Sequence, residues 1–165
     1  MATTDRDLFA LAERVGRRFL GSGGRVTTAE SCTGGWIAKS LTDVPGSSQW
    51  FEEGFVTYGN EAKSRSLEVP RALLERAGAV SEPVAAAMAR GALLRAGADA
   101  SVAVTGIAGP GGAVPGKPVG TVWFSWAVRR RGRIHVSTAH KRFRGDRETV
   151  RRKTVEAALR GLLRA

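Results

Sequence analysis

Apolar residues recur at helical spacing at Leu8, Leu11, Ala12, Val15 and Phe19, and Gly21 to Gly24 stop the run. The pattern predicts a first helix from about Asp5 to Leu20. Val26 to Ala29 has the character of a short buried strand. Gly35 to Leu41 reads as a short helix that ends before Pro45-Gly46-Ser47-Ser48. Phe51 to Tyr58 alternates in the manner of a strand, with Phe51, Glu53, Phe55 and Thr57 on one side. Asn60 to Leu67 reads as a helix capped by Asn60, and Arg71 to Ala77 as another before Gly78. Ser81 opens a long alanine-rich helix, with Glu82 and Pro83 in the first turn, where both are favoured.

Ala100 to Thr105 is a short apolar strand that runs into Gly106-Ile107-Ala108-Gly109-Pro110-Gly111-Gly112. Gly120 to Arg129 and Arg133 to Phe143 read as a hairpin around Arg131-Gly132. Asp146 to Leu163 is a final helix, with Val150, Val155, Ala158, Leu159 and Leu162 on one side. Strands and helices interleave and a hairpin joins late. The expected fold is a three-layer α/β/α sandwich with a mixed sheet, a late β-hairpin and a C-terminal helix. No repeat, linker or low-complexity segment divides the 165 residues, so one domain spanning 1–165 is expected.

Charge adds a second layer to this picture. The chain carries a formal +11, and Arg129 to Lys153 holds eleven Lys and Arg against Asp146 and Glu148, a local +9. Such a window suits phosphate or nucleic acid, and equally a solvated arginine-rich face. Cys32 is the only cysteine, so neither an intrachain disulfide nor a cysteine metal cluster can form. His135 and His140 are too few for a metal site, and their odd spacing points them to opposite faces of a strand. No apolar run reaches the length of a membrane span and no signal peptide stands at the start, so a cytoplasmic protein is expected.

The candidate chemistry begins at Thr28-Ala29-Glu30-Ser31-Cys32-Thr33-Gly34-Gly35, between the first strand and the second helix. A strand–turn–helix junction presents a hydroxyl beside unpaired N–H groups at a positive helix end. Ser31 there could attack a carbonyl while N–H groups hold the developing oxyanion. Read alone, the segment is served as well by Ser31 or Thr33 acting as a helix cap. Cys32 is an alternative nucleophile, or a small buried filler. Lys63 falls in the first turn of its helix, where the dipole disfavours a cation and burial would lower its pKa toward that of a base. Its other reading is a solvated surface lysine.

The glycine loop admits fewer readings. Gly111-x4-Gly116-Lys117 approaches a phosphate-loop pattern, but Pro118 stands where a Ser or Thr is required and no helix opens there. The glycine spacing also fails the dinucleotide fingerprint. What remains is a turn whose N–H groups, with the Thr105 hydroxyl, either line a pocket or serve structure alone.

Several segments in one order decide among these readings. They are Ala29–Gly35, Leu41–Ser48, Val56–Lys63, Gly78–Ser81, Val104–Gly112, Lys117–Val122 and Gly145–Arg147. From about Leu8 to the C terminus the chain closely resembles the CinA C-terminal domain family. The resemblance implies an amidohydrolase that converts nicotinamide mononucleotide (NMN) to nicotinic acid mononucleotide and ammonia, without metal or cofactor. It implies Ser31 as nucleophile, Lys63 as its base, and Tyr58 and Thr105 as accessory catalytic positions; backbone N–H groups near Thr33 to Gly35 or near Gly106 are then expected to hold the oxyanion. Substrate contacts are expected at Thr33, Gly34, Gly46, Ser48, Gly106 and Arg147, the last toward the phosphate. The family commonly has Ser where this chain has Gly59. The N-terminal pyrophosphatase domain of longer CinA proteins is not expected here. Homodimers or larger assemblies are expected. The competing reading is a basic nucleic-acid or repair-partner binding module with a vestigial site. It is disfavoured because aromatic residues do not interleave with the arginines.

Overall fold

A computed structural model describes residues 3–165. The first helix, α1 (Asp5–Ser22), buries Leu8, Leu11, Ala12, Val15 and Phe19 and ends on Gly23 in the left-handed region. Its N-terminus is closed by Thr4 and Asp7, whose side chains each accept from the other's backbone N–H. Strand β1 (Val26–Glu30) leads through a turn into α2 (Trp36–Thr42). A single 3-10 turn (Ser47–Gln49) precedes β2 (Phe51–Val56). Then come α3 (Asn60–Leu67), α4 (Arg71–Ala77), α5 (Glu82–Ala96) and β3 (Ala100–Gly106). The antiparallel pair β4 (Thr121–Arg130) and β5 (Arg133–Arg142) precedes α6 (Arg147–Leu162).

The sheet order is β2-β1-β3-β4-β5. Strands β2, β1 and β3 run parallel, and β4 and β5 complete the sheet antiparallel. The hairpin turns at Arg131 and Gly132, both with positive φ, which matches the twist of a two-residue connection. Helices α1, α2 and α6 pack with Val26, Val102, Val104, Val122, Phe124 and Trp126 on one face. Met88, Ala89, Ala92 and Leu93 of α5, with Leu67 and Leu74, pack on Ala29, Ala103 and Ala127 of the other. The expected three layers, mixed sheet, late hairpin and C-terminal helix are all present.

Two boundaries differ from expectation in ways that matter for the site. Strand β2 stops at Val56, because its partner β1 ends at Glu30 and the last ladder bond runs from Thr57 N–H to Glu30 O, 2.9 Å. Thr57 and Tyr58 therefore leave the sheet with their carbonyls free to turn. Asn60 does not cap α3. Gly59, with extended backbone, holds the cap position without a side-chain bond, and Asn60 is already helical.

Helix α3 is seated by a close approach. A Cβ on Gly91 would lie 2.0 Å from the Leu67 carbonyl oxygen, so only glycine lets α5 pass this near the end of α3.

Candidate active site

The parallel strands β1, β2 and β3 end together at one edge of the sheet, the usual place for ligand sites in open α/β sheets. Ala29 and Ala103 face α5, and side chains alternate along a strand, so Ser31 and Thr105 project to that same side. Ser31 N–H donates to Val104 O at 3.1 Å and extends the ladder by one residue, which sets Ser31 beside Thr105.

Lys63 is 1% exposed and reaches the same spot from α3. Its Nζ lies 3.1 Å from Ser31 Oγ, 2.8 Å from Thr57 O and 3.0 Å from Tyr58 O. Burial lowers its pKa to about 8. No carboxylate stands among these three contacts to hold the charge. A neutral amine fits the geometry directly. It has two hydrogens for the two carbonyls and one lone pair, which can accept the Ser31 O–H.

The turn that carries Ser31 is fixed from two sides. Glu30 is fully buried and accepts from Thr33 Oγ1 at 2.6 Å and from the N–H groups of Gly35, Ile37 and Ala38 at 3.1, 2.9 and 2.8 Å. Burial pushes the Glu30 carboxyl up while these four donors oppose it. Arg151 of α6 donates from Nε to Cys32 O at 3.2 Å and from Nη2 to Thr33 O at 2.8 Å. Positive φ at Gly34 and Gly35 lets the turn close between them. Neither Glu30 nor Arg151 was singled out from sequence. A carboxylate at the end of a short strand of buried type, just before a helix N-terminus, was the available signal for Glu30.

Tyr58 is 56% exposed at the mouth of the site. Arg147 donates to its hydroxyl at 3.0 Å and to Gly109 O at 2.8 Å, tying the glycine loop to the Tyr58 segment. Thr105 is buried and its hydroxyl donates to Ala79 O at 2.8 Å. Gly106 ends β3, where a Cβ would come within 2.8 Å of Thr121 O. Lys117 gives its Nζ to Ala77 O, and the chain continues through Pro118 into β4 with no helix.

Two expectations are corrected. Gly46 and Ser48 lie at the far end of the sheet, where Ser48 O accepts from Arg25 just before β1. The five residues of β1, roughly 16 Å of strand, separate them from Ser31 within one chain. Gly34 and Gly35 cannot supply oxyanion donors, because their N–H groups already bond Ser31 O and Glu30. Of the two readings of Cys32, the buried filler holds: it is buried, and burial pushes its thiol up to about 12 and keeps it protonated.

The basic window is also less available than its charge suggests. Arg147 bonds the glycine loop with part of its guanidinium, Arg151 holds the Ser31 turn, Arg152 pairs with Asp5 and Glu148, and Lys153 bonds Arg144 O. None of the described helices is long and apolar enough to cross a membrane.

Fold and site together define a three-layer α/β protein with a serine and a buried lysine paired at the carboxyl end of its first parallel strand. The chain belongs to the CinA C-terminal domain family, whose profile matches residues 8–165. It is 53% identical over 159 residues to nicotinamide-nucleotide amidohydrolase PncC of Escherichia coli K12, covering 96% of this chain and 94% of that protein. The protein of that name from Pseudomonas putida is 54% identical over 153 residues, 93% of each chain. The crystal structure of a CinA superfamily protein from Escherichia coli superposes with a TM-score of 0.90 at 44% identity, covering 99% of this chain and 92% of the other.

Proposed function

We propose that the protein hydrolyses the carboxamide of NMN, releasing ammonia and nicotinic acid mononucleotide, through an acyl-enzyme on Ser31 with Lys63 as general base. The observation that carries the chemistry is the placement of Lys63 Nζ, with two carbonyls engaging its hydrogens and its third position aimed at Ser31 Oγ. The substrate rests on the names of relatives that match more than nine-tenths of the chain.

In the first step neutral Lys63 takes the Ser31 proton as Oγ bonds to the carboxamide carbon. The oxygen becomes an oxyanion, held in this reading by backbone N–H groups of the Ser31 turn such as that of Thr33, each donor contributing ~3–4 kcal/mol in comparable sites. The C–N bond then breaks and protonated Lys63 returns the proton to the departing nitrogen, releasing ammonia. Tyr58, whose oxygen already accepts from Arg147, keeps its O–H free to donate beside the leaving group. Water attacks the ester with Lys63 again as base, and Ser31 is regenerated with a carboxylate product. Arg147 retains N–H groups beyond those given to Gly109 and Tyr58, and takes the substrate phosphate. Thr105 and Gly106 form the wall beside Ser31, and Thr33 and Gly34 shape the opposite lip. Assembly into dimers or larger forms belongs to the same reading, and light scattering measures it.

Hydroxylamine tests the intermediate. Added during turnover of NMN, it should divert the acyl group to a hydroxamate while ammonia release continues. Ammonia release with no hydroxamate at saturating hydroxylamine would remove the covalent step.

A further inference from the structure

Peptide geometry at the Ser31 turn assigns a task to an arginine on the opposite layer. The bond between Cys32 and Thr33 is trans, the cis bond of the described chain being Gly109-Pro110. In a trans peptide the C=O and the following N–H point in opposite directions. Arg151 of α6 holds the Cys32 carbonyl, so the Thr33 N–H is directed away from α6. Helix α6 packs on the α1/α2 face of the sheet, and Lys63 reaches Ser31 from α3 on the other face. The Thr33 N–H is therefore turned toward the side where Ser31 Oγ meets its base.

The second bond locks this orientation. Arg151 Nη2 holds the Thr33 carbonyl, and the Gly34 N–H that follows donates back to Ser31 O. Glu30 takes the next donors, on Gly35, Ile37 and Ala38. Each peptide from Cys32 onward is thus pinned at one or both ends. The guanidinium that does this sits 5.5 Å from the centre of the Trp36 ring, while Arg152 lies 4.9 Å from the same ring.

We infer that Arg151 is a positioning residue that aims the Thr33 N–H at the developing oxyanion by holding the Cys32 and Thr33 carbonyls from behind. The inference deepens the amidohydrolase reading and rests on it for the oxyanion. Arginine suits the task because its planar fork presents two N–H groups at a fixed separation to two carbonyls, whereas lysine offers all its donors from one freely rotating nitrogen. Arg151 acts through the two carbonyls it holds, so its removal should act on the rate of acylation and not on binding.

The test compares wild type with Arg151→Lys and Arg151→Met, each checked by thermal melting. Two readouts are taken: turnover of NMN, and the rate at which a small fluorophosphonate labels Ser31, which also needs its oxygen held by the turn. Arg151→Met should lower kcat and labelling by roughly 10- to 100-fold, below the loss of a whole oxyanion donor. Its KM should stay within about threefold of wild type, and the acid limb set by Lys63 should not move. Arg151→Lys should fall between the two, and it carries the test if the Met variant fails to fold. Wild-type kcat and labelling in a folded variant would overturn the inference, as would a loss confined to KM. If wild type labels but leaves NMN intact, the substrate reading fails, while slower labelling of the variants still supports the positioning role.

Discussion

Ser31 Oγ and Lys63 Nζ stand 3.1 Å apart although 32 positions separate them in the chain. Two features of the fold create that contact. Parallel pairing of β1 and β2 brings both segments to the same end of the sheet. The early end of β2 then frees the Thr57 and Tyr58 carbonyls to receive the lysine hydrogens.

The lowered pKa of Lys63 fixes the pH dependence of activity. Acylation needs the neutral amine, and with a pKa of about 8 only about a tenth is neutral at pH 7. In free enzyme kcat/KM for NMN should rise about tenfold per pH unit below this value and level off above it. A pH-rate profile over pH 6 to 9.5 checks this. A flat profile across that range would exclude Lys63 as the base.

Burial of the same group also couples stability to pH. The folded pKa lies below the ordinary lysine value of 10.5, so between about 8 and 10.5 the unfolded chain binds more protons than the folded one. Wild type should therefore gain stability, relative to Lys63→Met, as pH rises through that window, by roughly 3 kcal/mol in all. Below pH 8 the difference should be constant. Denaturant melts of both proteins at pH 7, 9 and 10.5 measure it.

Arg147 joins the glycine loop to Tyr58, and in the proposed function it takes the substrate phosphate. Arg147→Ala should raise KM for NMN roughly 10- to 100-fold, the loss expected of a charge-assisted contact of about 1.5–3 kcal/mol. Tyr58→Phe keeps the ring and should act mainly on kcat. Steady-state kinetics of the two variants separates these roles, and an unchanged KM in Arg147→Ala would place the phosphate elsewhere.

Much of this arrangement was legible in the chain. The buried faces of α1 and α6 follow from helical periodicity, because each lays a stripe of side chains against one layer, and the turn at Arg131-Gly132 follows from the glycine between two strand-like runs. Ser31 and Lys63 were singled out by residue type and local position. Their contact was not legible, since it depends on where β2 stops. Arg151 escaped notice within a basic window that reads as solvated surface, and only the packing of α6 turns it inward. Gly46 and Ser48 entered through resemblance alone, and chain geometry sets them at the far end of β1.

The seat of Lys63 depends on Gly91. A Cβ there would collide with the Leu67 carbonyl at 2.0 Å, a backbone atom that cannot swing aside. Gly91→Ala should destabilise the fold by about 1–3 kcal/mol despite the better helix propensity of alanine. It should also shift α3, lowering kcat in the protein that remains folded. Thermal melting with activity at a low temperature reads both effects. A melting temperature equal to or above wild type would show that α5 and α3 pack less closely.

Ammonia release from NMN by wild type, Ser31→Ala and Lys63→Ala, all verified as folded, tests the central claim most directly. Wild type should turn over, and both variants should lose kcat by roughly a thousandfold or more, with the double variant no worse than either single one, because the two groups act as a unit. Ammonia release within tenfold of wild type by either single variant, or none by wild type, would contradict the account.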